Sequence, residues 1–277
     1  MRQCEIVHKT LGAALRAAVK AKLIGRDVTQ DVINPPRARY GEPVALEPDE
    51  VRALLEAAWG TRWAVAFQLT VEAGLFRGEL LGLQWRHVDL GRGEIRIVQQ
   101  VQRAKSRGLV IQPLKTENRR RTVPLTPAMT AALREWRAAL ARATGVETLP
   151  LDGFVFPAAT KGYESGRYDI HDPTAPETLD DAFRRYADRA GLRHARFHDL
   201  RHTTASWLAA AGVDPATAAK ILGHTPRTML LHYLRSMRRG QTVAREVMAS
   251  WWEEAAPGAT PSSERDAQAT GNDSGKV

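Results

Sequence analysis

The sequence predicts a mainly α chain with a small antiparallel β-sheet inserted among its helices, an α+β fold. Apolar residues recur at helical spacing through most of residues 48–253, and period-two alternation is confined to about residues 94–125. No internal repeat is present. The 277 residues carry 40 Lys and Arg against 31 Asp and Glu, a net charge of +9, and 43% are hydrophobic. This composition excludes wholesale disorder, and a single cysteine, Cys4, excludes an internal disulfide framework. No apolar run approaches the roughly 20 residues of a membrane helix. Met1 to Lys9 lack the apolar stretch of a secretory leader, so a cytoplasmic, reduced setting is expected.

Leu11, Leu15, Val19 and Leu23 mark one face of a first helix that runs out at Gly25. Asn34-Pro35-Pro36 breaks the pattern, and the proline-rich stretch to Val44 reads as a linker. Pro48 suits a first helical position, with Asp49 and Glu50 at the positive helix end and Val51, Leu54 and Leu55 on one face. A second helix of this region is expected over 61–73, and a third from near Leu75 through Leu83. Glu94 to Val98 alternates as a strand, Ser106-Arg107-Gly108 is a turn, and Leu109-Val110-Ile111 returns. A turn from Lys115 to Arg121 leads into a strand over 122–125. Helices follow at about 127–142, 177–190, 199–211, 214–222, 226–236 and 240–253. From Pro257 the composition is Gly, Ser, Thr, Asp, Ala and Pro without apolar periodicity, which predicts a disordered tail.

The basic residues cluster at Arg103, Lys105 and Arg107, at Lys115, Arg119, Arg120 and Arg121, and at Arg235, Arg238 and Arg239. Such clusters neutralise phosphates, or they form a solvated arginine-rich surface. Chemistry is carried by motifs. His198-Asp199-Leu200-Arg201 places a His and an Arg three apart on one helical face. Leu222-Gly223-His224 follows, and Tyr233 stands nine residues after His224. Upstream lies Gly74-Leu75-Phe76-Arg77-Gly78-Glu79-Leu80. Cleaving a phosphodiester takes a nucleophile, cations on the non-bridging oxygens and a proton for the leaving oxygen. Tyr, Arg, His and Lys can supply these. His198 and His202 are four apart, a spacing that suits a metal, but Arg201 intervenes and no third ligand is evident, so no metal or other cofactor is assigned.

Over residues 8–252 this ordered set resembles the tyrosine recombinases, or phage-type integrases. The resemblance implies the recombinase catalytic-domain fold and double-stranded DNA as partner. It implies Tyr233 as nucleophile forming a 3′-phosphotyrosine, Arg201 on a non-bridging oxygen, His198 as acid/base and His224 as a phosphate hydrogen-bond donor. Lys115 would protonate the leaving 5′-oxygen, and Glu79 would orient its neighbours. Arg103, Lys105, Arg119, Arg120, Arg121 and Arg235 are the expected DNA contacts. The implied domains are the end of a helical core-binding domain at 1–36, a linker at 37–47, a catalytic domain at 48–256 and the tail at 257–277. Val243, Val247, Met248, Trp251 and Trp252 form a stripe suited to docking on a neighbouring subunit in a tetramer on DNA.

The chain departs from the family pattern at one position. Phe76 stands where the first catalytic Arg is expected, and Arg77 fits the next, variable position. A one-residue step turns a helical side chain by about 100°, away from the phosphate. Losing one preorganised charge donor costs ~10²–10³ in rate, which puts catalysis in question. Two alternatives therefore stay open: a catalytically inactive DNA-binding remnant, and a type IB topoisomerase-like enzyme. Locally, Tyr233 can also be read as a half-buried core residue and Lys115 as one solvated member of a basic turn.

Overall fold

The structure, a computed structural model, describes residues 2–35, 45–104, 107–114, 116–160 and 167–237. Contacts divide the chain into two units, Met1–Pro43 and Val44–Val277. In the first, α1 (Arg2–Lys20) begins well before Leu11 and ends ahead of Lys22, which takes φ +58°. Asp27 caps a short 3-10 turn, Val28–Asp31, by accepting from the Thr29 N–H at 3.0 Å.

The second unit opens with α2 (Pro48–Ala57), α3 (Arg62–Ala73) and α4 (Arg77–Leu81). The helix expected from Leu75 starts later because the Glu79 carboxylate accepts the Phe76 N–H at 3.1 Å and fixes Phe76 as the cap. β1 (Val88–Asp89), β2 (Glu94–Ile97) and β5 (Arg121–Pro124) form an antiparallel sheet in that order, with Ile95 opposite Val123. β3 (Gln99–Ala104) pairs with β4 (Gly108–Pro113) in a separate hairpin. The strand at 94–98 was expected to be answered by 109–111. Instead β2 pairs with β5, and the 109–111 segment pairs with β3. A third antiparallel pair, β6 (Pro157–Ala159) with β7 (Tyr168–Pro173), was not expected at all. The helices α5 (Pro127–Thr144), α6 (Pro176–Arg189), α7 (Phe197–Ala210), α8 (Pro215–Leu222) and α9 (Pro226–Met237) lie within two residues of the expected bounds. The expected helix at 240–253, most of the linker and the tail lie outside the described residues.

Packing around α7 positions the functional region. Phe197, its first residue, meets Phe67 of α3 at 6.4 Å and Phe183 of α6 edge-on at 5.8 Å. The buried Thr204 hydroxyl donates to the Val71 carbonyl of α3 at 2.6 Å, and Thr203 accepts from the Leu46 N–H at 2.9 Å. The N-terminal end of α8 is capped by Asp214, which accepts from the N–H groups of Ala216 and Thr217.

The end of α8 approaches the end of α3 at Gly74, whose φ is +57°. A Cβ there would stand 2.1 Å from Leu222 Cδ2, so both backbone and space demand glycine. Gly74→Ala is expected to cost roughly 3 kcal/mol, combining left-handed strain with overpacking. Urea unfolding of the purified variant measures it, and a loss below about 1 kcal/mol would show that α8 can move aside.

Candidate active site

Gly74 and Leu222 contribute their carbonyls as well as their close approach. Arg201 of α7 is 2% exposed and donates from Nη1 to Gly74 O and from Nη2 to Leu222 O. These are carbonyls at helix C-terminal ends, where acceptors lack intrahelical donors and a cation is favoured. Burial pushes the Arg201 guanidinium down to about 9, so it remains charged at neutral pH. Each of its terminal nitrogens carries a second N–H, so the group still has the fork geometry that suits a phosphate.

The ring of Phe76 is the hub of the site. The Arg201 Cζ lies 3.7 Å from its centroid and the Arg119 Cζ 4.7 Å. His198 stacks at 5.6 Å with planes 16° apart, and His224 at 6.3 Å and 25°. His202 meets His198 edge-on at 4.6 Å. Position 76 thus shares one cluster with Arg201, His198 and His224. Arg77 leaves it: its guanidinium pairs with Asp180 of α6.

Glu79, fully buried, faces the cations. Its Oε1 accepts from Arg119 Nη2 at 3.2 Å and its Oε2 from Arg121 Nη2 at 2.9 Å. Arg121 was expected on DNA, but the structure buries it. Its side chain is 4% exposed, and it also donates from Nε to Ile221 O at 2.7 Å and from Nη1 to Arg119 O at 3.1 Å. Together with Arg201 it satisfies the carbonyl end of α8 and sets the turn that presents His224.

Tyr233 does not join the cluster. It is buried against Ala205, Ala218, Ala219, Leu222 and Met229, and its hydroxyl donates to Val213 O, just before α8. Arg201 grips Leu222 at the other end of that eight-residue helix. At 1.5 Å per residue the two ends are about 12 Å apart. Burial, reinforced by the Asp214 carboxylate, holds the Tyr233 phenol above its usual range.

The cluster opens on a cleft of about 820 Å³, lined among others by Phe76, Gln102, Arg103, Arg119, Arg184 and His198. Arg103 makes a two-pronged pair with Glu177 at 2.8 and 2.9 Å, and the exposed Arg120 lies 3.4 Å from Glu117. Lys115 and Lys105 lie outside the described residues, and Arg235 falls on α9. Among the described residues no group of three or more His, Cys, Asp or Glu gathers as a metal site, and no helix is long and apolar enough to cross a membrane.

Residues 45–239 match the model of the phage integrase family. The chain belongs to that family. The matched segment contains the Phe76 cluster, Glu79 and Tyr233. A tyrosine recombinase XerC-like protein of Caldanaerobacter subterraneus subsp. tengcongensis is 30% identical over 185 residues, covering 64% of this chain and 46% of that protein. Prophage integrase IntR of Escherichia coli is 28% identical over 232 residues, covering 79% and 54%. The chain spans about half the length of the curated relatives it matches. Among solved structures, the Tn1549 transposon integrase in complex with circular intermediate DNA superposes with a TM-score of 0.64 at 21% identity, covering 85% of this chain and 77% of that one. That likeness is one of fold. It agrees with the expected recombinase catalytic-domain architecture, mainly α with small antiparallel sheets.

The structure brings His198, Arg201, His224 and position 76 into one cluster, on anchors that no sequence motif pointed to. The carbonyls of Gly74 and Leu222 leave no side-chain signal. The buried duty of Arg121 had one: in Arg121-Thr122-Val123-Pro124 it alternates in phase with the buried Val123, the pattern of an inward-facing strand residue. Removing the carboxylate that balances these arginines should destabilise the fold. Glu79→Gln is expected to lose about 3–5 kcal/mol, the scale for breaking a buried ion pair from one side. Urea unfolding reads this directly, and a loss under about 1 kcal/mol would mean the cations are balanced by other groups.

Proposed function

We propose that this phage integrase family member cuts and rejoins double-stranded DNA through a 3′-phosphotyrosine at Tyr233. The observation that carries the reading is the gathering of Arg201, His198 and His224 around the Phe76 ring, which lines the cleft together with His198. Arg201 holds a non-bridging oxygen, and His224 donates a hydrogen bond to the phosphate. The Tyr233 oxygen attacks phosphorus while its proton passes to His198. The bond from phosphorus to the 5′-oxygen breaks, and Lys115 gives the leaving oxygen its proton. The covalent link conserves bond energy, so religation to another strand requires neither ATP nor a metal. An ordinary phenol leaves little phenolate at neutral pH, which makes a base partner necessary.

In this reading residues 48–256 are the catalytic domain, joined by the linker at 37–47 to the end of a core-binding domain at 1–36, with a tail at 257–277. Before attack the phenol must leave Val213 and travel to the Arg201 end of α8. Docking of the segment around Trp251 and Trp252 on a neighbouring subunit of a tetramer is the proposed trigger. Family names support the chemistry: the relatives are tyrosine recombinases and integrases, and the Tn1549 integrase is seen on DNA.

Denaturing gels of the protein incubated with nicked duplexes, tiled across the DNA flanking its coding sequence, should show a covalent protein–DNA adduct. Tyr233→Phe should abolish that adduct while leaving DNA binding intact. An adduct persisting in Tyr233→Phe removes Tyr233 from the role, and DNA binding without any adduct favours the inactive-remnant reading. Relaxation of supercoiled DNA by the isolated monomer favours the topoisomerase reading.

A further inference from the structure

We propose that Arg119 supplies the second phosphate-binding cation that position 76 lacks. This rests on the proposed strand-cleaving function and identifies a further catalytic residue within it.

Three arginines surround the Phe76–Glu79 pair, and the structure distinguishes them by their commitments. Arg201 is buried on the Gly74 and Leu222 carbonyls. Arg121 is buried with donors on Glu79, Ile221 O and Arg119 O. Arg119 alone of the three reaches the cleft surface, its side chain 26% exposed and lining the cavity beside Phe76 and His198. One terminal nitrogen is held by Glu79 at 3.2 Å, which fixes the guanidinium. Its Nε is buried and has no hydrogen-bond partner among the described residues. A buried donor on a charged group is unfavourable without an acceptor, so an acceptor arriving there is favoured.

The charges point the same way. Arg119 and Arg121 both act on Arg201 as like charges, whereas Glu79 offsets them with one carboxylate. A cluster of three guanidiniums facing one carboxylate binds an anion well, and a phosphodiester brings both a negative charge and two non-bridging oxygens. The Phe76 ring orders the geometry. It receives Arg201 at 3.7 Å and Arg119 at 4.7 Å, so both guanidiniums are packed on the very side chain that occupies the vacant position. The charge that the register removes from residue 76 is thus returned from the turn ending at Arg119, 43 residues later in sequence.

The test is single-turnover adduct formation on the nicked duplexes that the parent chain cleaves. Arg119→Ala should slow adduct formation by about 100-fold or more, the scale for losing one preorganised charge donor, with DNA affinity at fixed salt changed less than about threefold. Adding Phe76→Arg to Arg119→Ala should restore at least about tenfold of that rate, because the two positions serve one phosphate. Phe76→Arg alone should add less than about tenfold to the parent. A drop below about tenfold in Arg119→Ala overturns the proposal, as does a double variant that fails to recover while its thermal unfolding matches the parent's. An adduct from Phe76→Arg with none from the parent also overturns it, and leaves the strand-cleaving reading standing. No adduct from parent or from Phe76→Arg removes both.

Discussion

A guanidinium that is 2% exposed must find its acceptors inside the protein, and Arg201 finds them at two helix ends. The rest of the site depends on that arrangement. The carbonyls of Gly74 and Leu222 are available because α3 and α8 both end there, each through a glycine in the left-handed region. Gly74 also lets Leu222 approach to a distance that a Cβ would forbid. The fork of Arg201 therefore ties three segments at one point: α7, which carries His198, the α3–α4 turn, which carries Phe76, and the α8 end, which carries His224. His198, Phe76 and His224 each stand within three residues of one of these anchors. A lysine could not hold the same arrangement, since one ammonium lacks the planar fork that reaches two carbonyls.

The cost of gathering cations is met by Glu79 and, at one position, by removing a cation. An arginine at 76 would have placed a fourth guanidinium beside Arg119, Arg121 and Arg201. Phe76 offers the negative face of a ring instead, worth up to ~2 kcal/mol when a guanidinium is desolvated against it. For the folded state alone, the aromatic residue suits the cluster. In the proposed chemistry it shifts the demand for charge to a neighbour. Stability and catalysis therefore pull in different directions at this residue, as they do wherever like charges are assembled for a substrate.

Helices were legible because their apolar faces, caps and breakers agree. Pro127, Pro215 and Pro226 sit at first turns, and Asp214 and Thr126 cap as their types suggest. Strand pairing was less legible, since partner choice is set by long-range packing rather than by local alternation. β1 has two residues, and β6 is Pro-Ala-Ala, neither of which carries a period. β7 did carry one, with Tyr168 and Ile170 alternating with Asp169 and His171. The frame of the site was legible through Gly74, Glu79, His198, Arg201 and His224. The division of labour among Arg119, Arg120 and Arg121 was not. Three adjacent arginines look alike in sequence, and only the sheet register decides that Arg121 turns inward, opposite Ile97, while Arg120 faces water.

The same tie that fixes Arg201 keeps Tyr233 away from it. α8 is a strut with Arg201 on its last carbonyl and the Tyr233 phenol on the carbonyl before its first turn. The seat around Tyr233 is built from Ala205, Ala218, Ala219, Leu222 and Met229. Leaving it forfeits one hydrogen bond, about 1 kcal/mol, and ring burial of roughly 1.5–3 kcal/mol. A gap of ~2.5–4 kcal/mol leaves the released tyrosine populated at ~10⁻¹·⁸ to 10⁻³, and in the proposed chemistry an unassisted chain would cleave slower by that fraction. Any contact that α9 makes only in its released position recovers the factor. In the proposed chemistry phosphate binding falls to the Arg201 cluster, and nucleophile delivery to a ring held at the far end of α8. Under the proposed function, such an arrangement would let the chain occupy DNA without cutting it, and the energy to release the tyrosine would come from whatever holds α9 out.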